Sequence, residues 1–94
     1  MMTDADVVCR LRKLRTCAGQ SQEAVVEGAN HYLKAMSNAP TLLDRISLSK
    51  AENNSIILIP SHVHAIALFL DCKERDIYPY YDLLYPRGGD TNAE

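Results

Sequence analysis

The sequence has few cysteines. Cys9, Cys17 and Cys72 are an odd number with no CxxC pair, which argues against a disulfide framework and a zinc knuckle and fits a reducing, cytoplasmic setting. Long apolar runs are also missing. The densest, Ala65 to Leu70, falls well short of the roughly 20 residues that a membrane-spanning helix needs. The opening MMTDADVVCRLRKLR places acids ahead of a basic stretch and carries no apolar core of a secretory signal. The expectation is a soluble, intracellular protein with no membrane partner. No phosphate loop, GxGxxG, GxSxG or HExxH motif occurs. Neither charge is in excess: ten Lys and Arg face twelve Asp and Glu, for a net charge of −2. The overall balance therefore gives no support to non-specific binding of polyanions.

What is present suits a small globule. The chain has 94 residues, 47% of them hydrophobic and 23% charged, enough for one modest core and too few for a two-domain enzyme. Residues 1–86 are expected to form a single helical domain, and 87–94, with Gly88 and Gly89, a flexible polar tail.

Hydrophobic spacing points to an all-α fold, a compact bundle of four or five short helices with room for one short strand at 55–59. Val7, Leu11, Leu14 and Ala18 recur at helical spacing in a first helix from Thr3 to Ala18, capped by Thr3 or Asp4 and stopped by Gly19. Its cations Arg10, Arg12, Lys13 and Arg15 point away from that stripe, as a solvated face or a phosphate-facing edge. A second helix begins at the N-cap residue Ser21 and runs to Met36, with Val25, Ala29, Tyr32, Leu33 and Met36 on one face. Gly28 and Asn30 weaken it and leave room for a break at 28–31. Ser37 to Pro40 is a turn. Beyond it, Leu42, Leu43 and Ile46 suit a helix, while Ile46 to Ser49 alternates as a strand would. Ser55 to Ile59 is β-branched and ends at Pro60, which favours a short strand or an extended buried link. Residues 61–71 form the clearest helix, with Val63, Ile66, Ala67 and Leu70 on its stripe and apolar residues on most of the remaining circumference. They mark the centre of the core.

Groups suited to catalysis are sparse. On a helix His62 and His64 point about 200° apart and cannot share a metal. Cys9 and Cys17 are better read as small apolar residues than as nucleophiles, and Glu23 with Glu27 as a solvated face. The expectation is a non-enzyme without metal or cofactor. Four of the five tyrosines cluster near the C-terminus, between Ile77 and Pro86. Tyr78, Tyr80, Tyr81, Leu83, Leu84 and Tyr85 are candidates for a homodimer interface or a partner-docking surface, since aromatic residues bury large areas at low entropic cost. The other role open to them is covering the domain's own core.

Two blocks carry a family resemblance. Leu11-Arg12-Lys13-Leu14-Arg15, then Ala18-Gly19 and Ser21-Gln22-Glu23, resembles the opening of the Cro and lambda-repressor type of helix-turn-helix domain. Ile59-Pro60-Ser61, Ile66 to Cys72 and Arg75-Asp76-Ile77-Tyr78-Pro79 resemble its closing helix and following turn. Together they span about a third of the chain, and the stretch between them is longer than the family's. The resemblance implies a small phage-type regulator that binds double-stranded DNA as a homodimer. Arg12, Lys13 and Arg15 would contact phosphates, and Gln22, Lys34, Asn38, Arg45 and Lys50 complete the DNA-binding candidates. One alignment sets the turn at Asn30 and starts the recognition helix near His31 or Tyr32. The other makes Thr41 to Asn54 the recognition segment. The alternative function is an acidic protein-interaction module, such as an inhibitor, adaptor or assembly subunit, with no nucleic-acid contact.

Overall fold

The computed structural model describes residues 9–36, 41–79 and 81–84. Among them are six helices: α1 (Leu11–Cys17), α2 (Gln22–Ala35), α3 (Arg45–Glu52), α4 (Pro60–Leu70), α5 (Glu74–Ile77) and α6 (Tyr81–Leu84). The last two are single turns. The molecule is the all-α bundle that the hydrophobic spacing predicts.

In α1, Leu11 is fully buried and Leu14 half-buried. Gly19 ends the helix with φ 70, a left-handed conformation that glycine adopts without steric cost. The expected start at Thr3 or Asp4, with Val7, lies outside the described residues. Arg10 N–H donates to the Ile77 carbonyl at 2.9 Å, joining the start of α1 to the end of α5.

The side chain of Ser21 accepts from Ala24 N–H at 3.0 Å and caps α2 as expected. The helix then runs unbroken, so the proposed interruption at 28–31 does not form. Both weak helix formers have tertiary roles instead. Gly28 lies against the Phe69 ring, where a Cβ would overlap the aromatic carbons. The Asn30 side chain donates to the Leu43 carbonyl at 2.9 Å and accepts from Leu43 N–H at 2.8 Å. Val25, Ala29 and Leu33 are buried, while Tyr32 is partly exposed.

Between Thr41 and Asn54 the helical reading prevails. Asp44 Oδ1 accepts from Ser47 N–H at 2.6 Å and caps α3. Leu48 and Ala51 are buried at helical spacing, and Ile46 is 68% exposed. The strand allowed for at 55–59 does not form. These residues make an extended link in which Leu58 alone is buried and Ile56, Ile57 and Ile59 are exposed. β-branched residues supply propensity, but a strand also needs a partner ladder, and there is none among the described residues.

Pro60 opens α4 at a position where a missing N–H costs nothing. Val63, Ala65, Ile66 and Ala67 are buried, and α4 packs chiefly on α2, so the helix is central as expected. It stops at Asp71, left-handed at φ 56. Lys73 N–H donates to Asp76 Oδ2 at 2.9 Å and starts α5.

Tyr78 corrects the interface assignment. It is 1% exposed, and its hydroxyl oxygen accepts from Leu58 N–H at 3.3 Å, so it belongs to the core. Tyr81 and Leu84 are half-buried against that core. Leu83 is exposed. Tyr80, Tyr85 and the tail at 87–94 lie outside the described residues. Among those described, no helix is long and apolar enough to cross a membrane.

Candidate functional site

Leu48, Ala51 and Glu52 occupy one face of α3, so a carboxylate stands where the spacing calls for an apolar side chain. It is fully buried and heavily bonded. Arg15 reaches it from α1 with two donors, Nε to Oε2 at 2.7 Å and Nη2 to Oε1 at 3.0 Å. Gln22 Nε2 donates to Oε1 at 3.1 Å from the first turn of α2. Arg12 Nε lies 3.5 Å from the same oxygen. Burial raises the Glu52 pKa, but the hydrogen bonds from Arg15, Gln22 and Arg12 outweigh it and hold the carboxyl below its ordinary value. The Arg15 guanidinium is raised in turn, first by its hydrogen bonds to Glu52. A forked guanidinium against a carboxylate fixes orientation as well as distance. One side chain thus ties α3 to α1 and α2.

With its inner face held, α3 turns Arg45, Ile46 and Lys50 outward, all exposed, with Ser49 half-buried beside them. Arg45 Nε lies 3.4 Å from Gln22 Oε1. At the C-terminal end, Arg12 Nη2 donates to Asn53 Oδ1 at 2.8 Å, although the Arg12 side chain stays 58% exposed. Lys13 is exposed nearby on α1.

The residues expected from sequence divide accordingly. Arg12, Lys13, Arg45 and Lys50 are exposed on α1 and α3. Arg15 is turned inward onto Glu52, its side chain 13% exposed, and Gln22 is engaged by the same carboxylate. The alignment with a turn at Asn30 fails, because Tyr32, Lys34 and Ala35 continue α2. Asn38 lies outside the described residues. Sequence reasoning missed Glu52. The signal was there: an acid four residues after Leu48 and next to Ala51 shares their core face and calls for a buried cationic partner.

A groove of about 950 Å³ opens between α1 and α5. Arg10, Arg12 and Lys13 line its α1 side, and Arg75, Asp76 and Pro79 the other. Leu14 and Cys17 also line it, and most of the lining surface is apolar. Arg10 and Lys13 have no ion-pair partner among the described residues, whereas Arg75 pairs with Asp82.

The histidines make contacts within the fold. His62 Nε2 donates to the Thr41 carbonyl at 2.6 Å. His64 Nδ1 lies 2.9 Å from Glu74 Oε2, a contact that holds the Glu74 carboxyl below its ordinary value. Burial pushes the Cys9 and Cys72 thiols up, away from the reactive thiolate. No group of three or more His, Cys, Asp or Glu among the described residues is arranged to hold a metal.

Comparison with protein-family models, curated proteins and solved structures finds no match to this chain.

Proposed function

We propose that the chain is a small DNA-binding regulator of the Cro and lambda-repressor type that acts as a homodimer, with α3 as its reading helix. The observation that supports this reading is the division of α3 into two faces. Leu48, Ala51 and Glu52 lock the helix onto α1 and α2, while Ile46, Ser49 and Lys50 lie on its other side and Arg45 is exposed in the first turn, on the Glu52 side beside Gln22. A helix that enters a major groove needs such an arrangement. Its orientation must be fixed by buried contacts, because base-edge hydrogen bonds tolerate little misplacement. Arg12 and Lys13 flank the C-terminal end of α3, where cations can meet the phosphates that position it. Arg15 has a different role: it sets α3 through Glu52.

The net charge of −2 implies weak non-specific binding and dependence on a particular sequence. The test is electrophoretic mobility shift with genomic fragments at low salt, followed by selection of a preferred duplex. Arg45→Ala with Lys50→Ala should abolish sequence preference, each base contact being worth about 1–3 kcal/mol. Arg12→Ala with Lys13→Ala should weaken binding to all duplexes and reduce the salt slope by roughly 2. No shift with any fragment would overturn the reading and favour a protein-interaction role.

A further inference from the structure

The groove between α1 and α5 shares Arg12 and Lys13 with the proposed phosphate contacts, but Arg10 and the groove's apolar lining have no part in that reading. Arg10, Arg12 and Lys13 border it on one side and Arg75 on the other. Its lining is nonetheless mostly apolar, and Leu14, Cys17 and Pro79 contribute to it beside those charges. Both carboxylates at its margin are engaged. Glu52 is held by Arg15, and Asp76 accepts from Lys73 N–H. The walls are fixed relative to each other by the Arg10 N–H bond to the Ile77 carbonyl.

A phosphodiester backbone would use the cations and leave the apolar lining unused, since it has no apolar group to bury. An uncharged apolar ligand would use the apolar lining and leave the rim uncompensated. A ligand complementary to both carries an apolar side chain between carboxylates. The volume is large enough for several side chains, within the roughly 300–1,000 Å³ of ordinary ligand clefts. We infer that this groove docks an acidic peptide segment of a partner protein, with an aliphatic anchor seated over Leu14, Cys17 and Pro79 and carboxylates paired to Arg10 and Lys13. Such pairing at a rim governs encounter rate and partner choice, while the buried anchor supplies affinity. The inference does not depend on DNA binding by α3.

Cys17 provides a direct readout, because it is exposed and lines the groove. The probe is a synthetic peptide, Glu-Leu-Glu-Glu-Leu-Glu-Glu, added to the full chain while alkylation of Cys17 by iodoacetamide is followed by mass spectrometry. The peptide should slow Cys17 modification. Versions with Gln in place of Glu, or Ala in place of Leu, should not. Arg10→Glu with Lys13→Glu should weaken the apparent affinity by about tenfold or more. Circular dichroism melts establish that these surface variants remain folded. Lys50→Ala should keep the peptide response while weakening duplex binding, so the two readings fail separately. The inference is overturned if the peptide gives no protection at millimolar concentration. It is also overturned if the Gln version protects equally, or if a DNA duplex protects Cys17 and the acidic peptide does not.

Discussion

At residue 52 a carboxylate sits in a dry position beside Leu48 and Ala51, and its charge is balanced by Arg15. Removing one partner of such a pair leaves the other charge buried and uncompensated, so Glu52→Ala should cost about 3–5 kcal/mol in urea denaturation. Acid should act on the same pair. The folded-state pKa of Glu52 lies below its unfolded value, so the stabilisation is fully present above the unfolded pKa and is lost as pH falls through the folded one. Asp44 and Glu74 are lowered as well and titrate on the same acid limb. Glu52→Gln isolates one contribution. The gap in unfolding free energy between wild type and Glu52→Gln should narrow as the solution is acidified below the usual glutamate range. A constant gap would contradict the role given to this charge.

Among the elements, α2 and α4 share the broadest interface, and within it Gly28 of α2 lies against the Phe69 ring of α4. In an isolated helix, alanine would be better than glycine by roughly 1 kcal/mol. Here the Phe69 ring occupies the space that a methyl group would need. Gly28→Ala should therefore destabilise, by about 1–3 kcal/mol as overpacking usually does. In the Phe69→Ala background the same change should become neutral or favourable, which a double-mutant cycle would measure. Sequence showed that Gly28 weakens α2 but not why it is tolerated, because the reason lies some forty residues away. The same applies to Asn30, whose side chain stands in for a backbone partner of Leu43. Helices written in local spacing and caps, such as Ser21 for α2 and Pro60 for α4, were legible. At 55–59 the sequence leaves a strand and an extended link both open, because propensity is local and strand pairing is not; the structure has the link.

Across the whole molecule, the core runs from Leu11 through α2 and α4 to Ile77 and Tyr78. Ile66→Ala should cost about 2–5 kcal/mol and Tyr78→Ala about 3–5 kcal/mol. Leu83→Ala, at an exposed position, should stay within roughly 0.5 kcal/mol. Thermal melts of the three variants would separate core from surface in the tyrosine-rich segment. Composition showed that this segment was too apolar to be left in water. It could not show that Tyr78 faces inward, since that depends on a hydrogen bond with Leu58 across the fold. The site was half legible: Arg12, Lys13, Arg45 and Lys50 were marked by their charge, but the carboxylate that orients α3 was not recognised.

The slender attachment of α3 also bears on how the protein breathes. Its docking rests on two apolar side chains, Leu48 and Ala51, and on the Glu52 network, whereas α2 and α4 share a broader interface. Regions with few buried contacts open before the rest of a domain unfolds. Amides of α3 should therefore exchange with deuterium through a partial opening, with a lower free energy than those of α2 and α4. Glu52→Ala should bring α3 exchange close to that of unprotected chain while leaving slow exchange in α4. Equal protection in all three helices would mean that α3 belongs to the same cooperative unit as the core. Partial opening would mean that the Glu52 network, more than the core, holds α3 in its orientation.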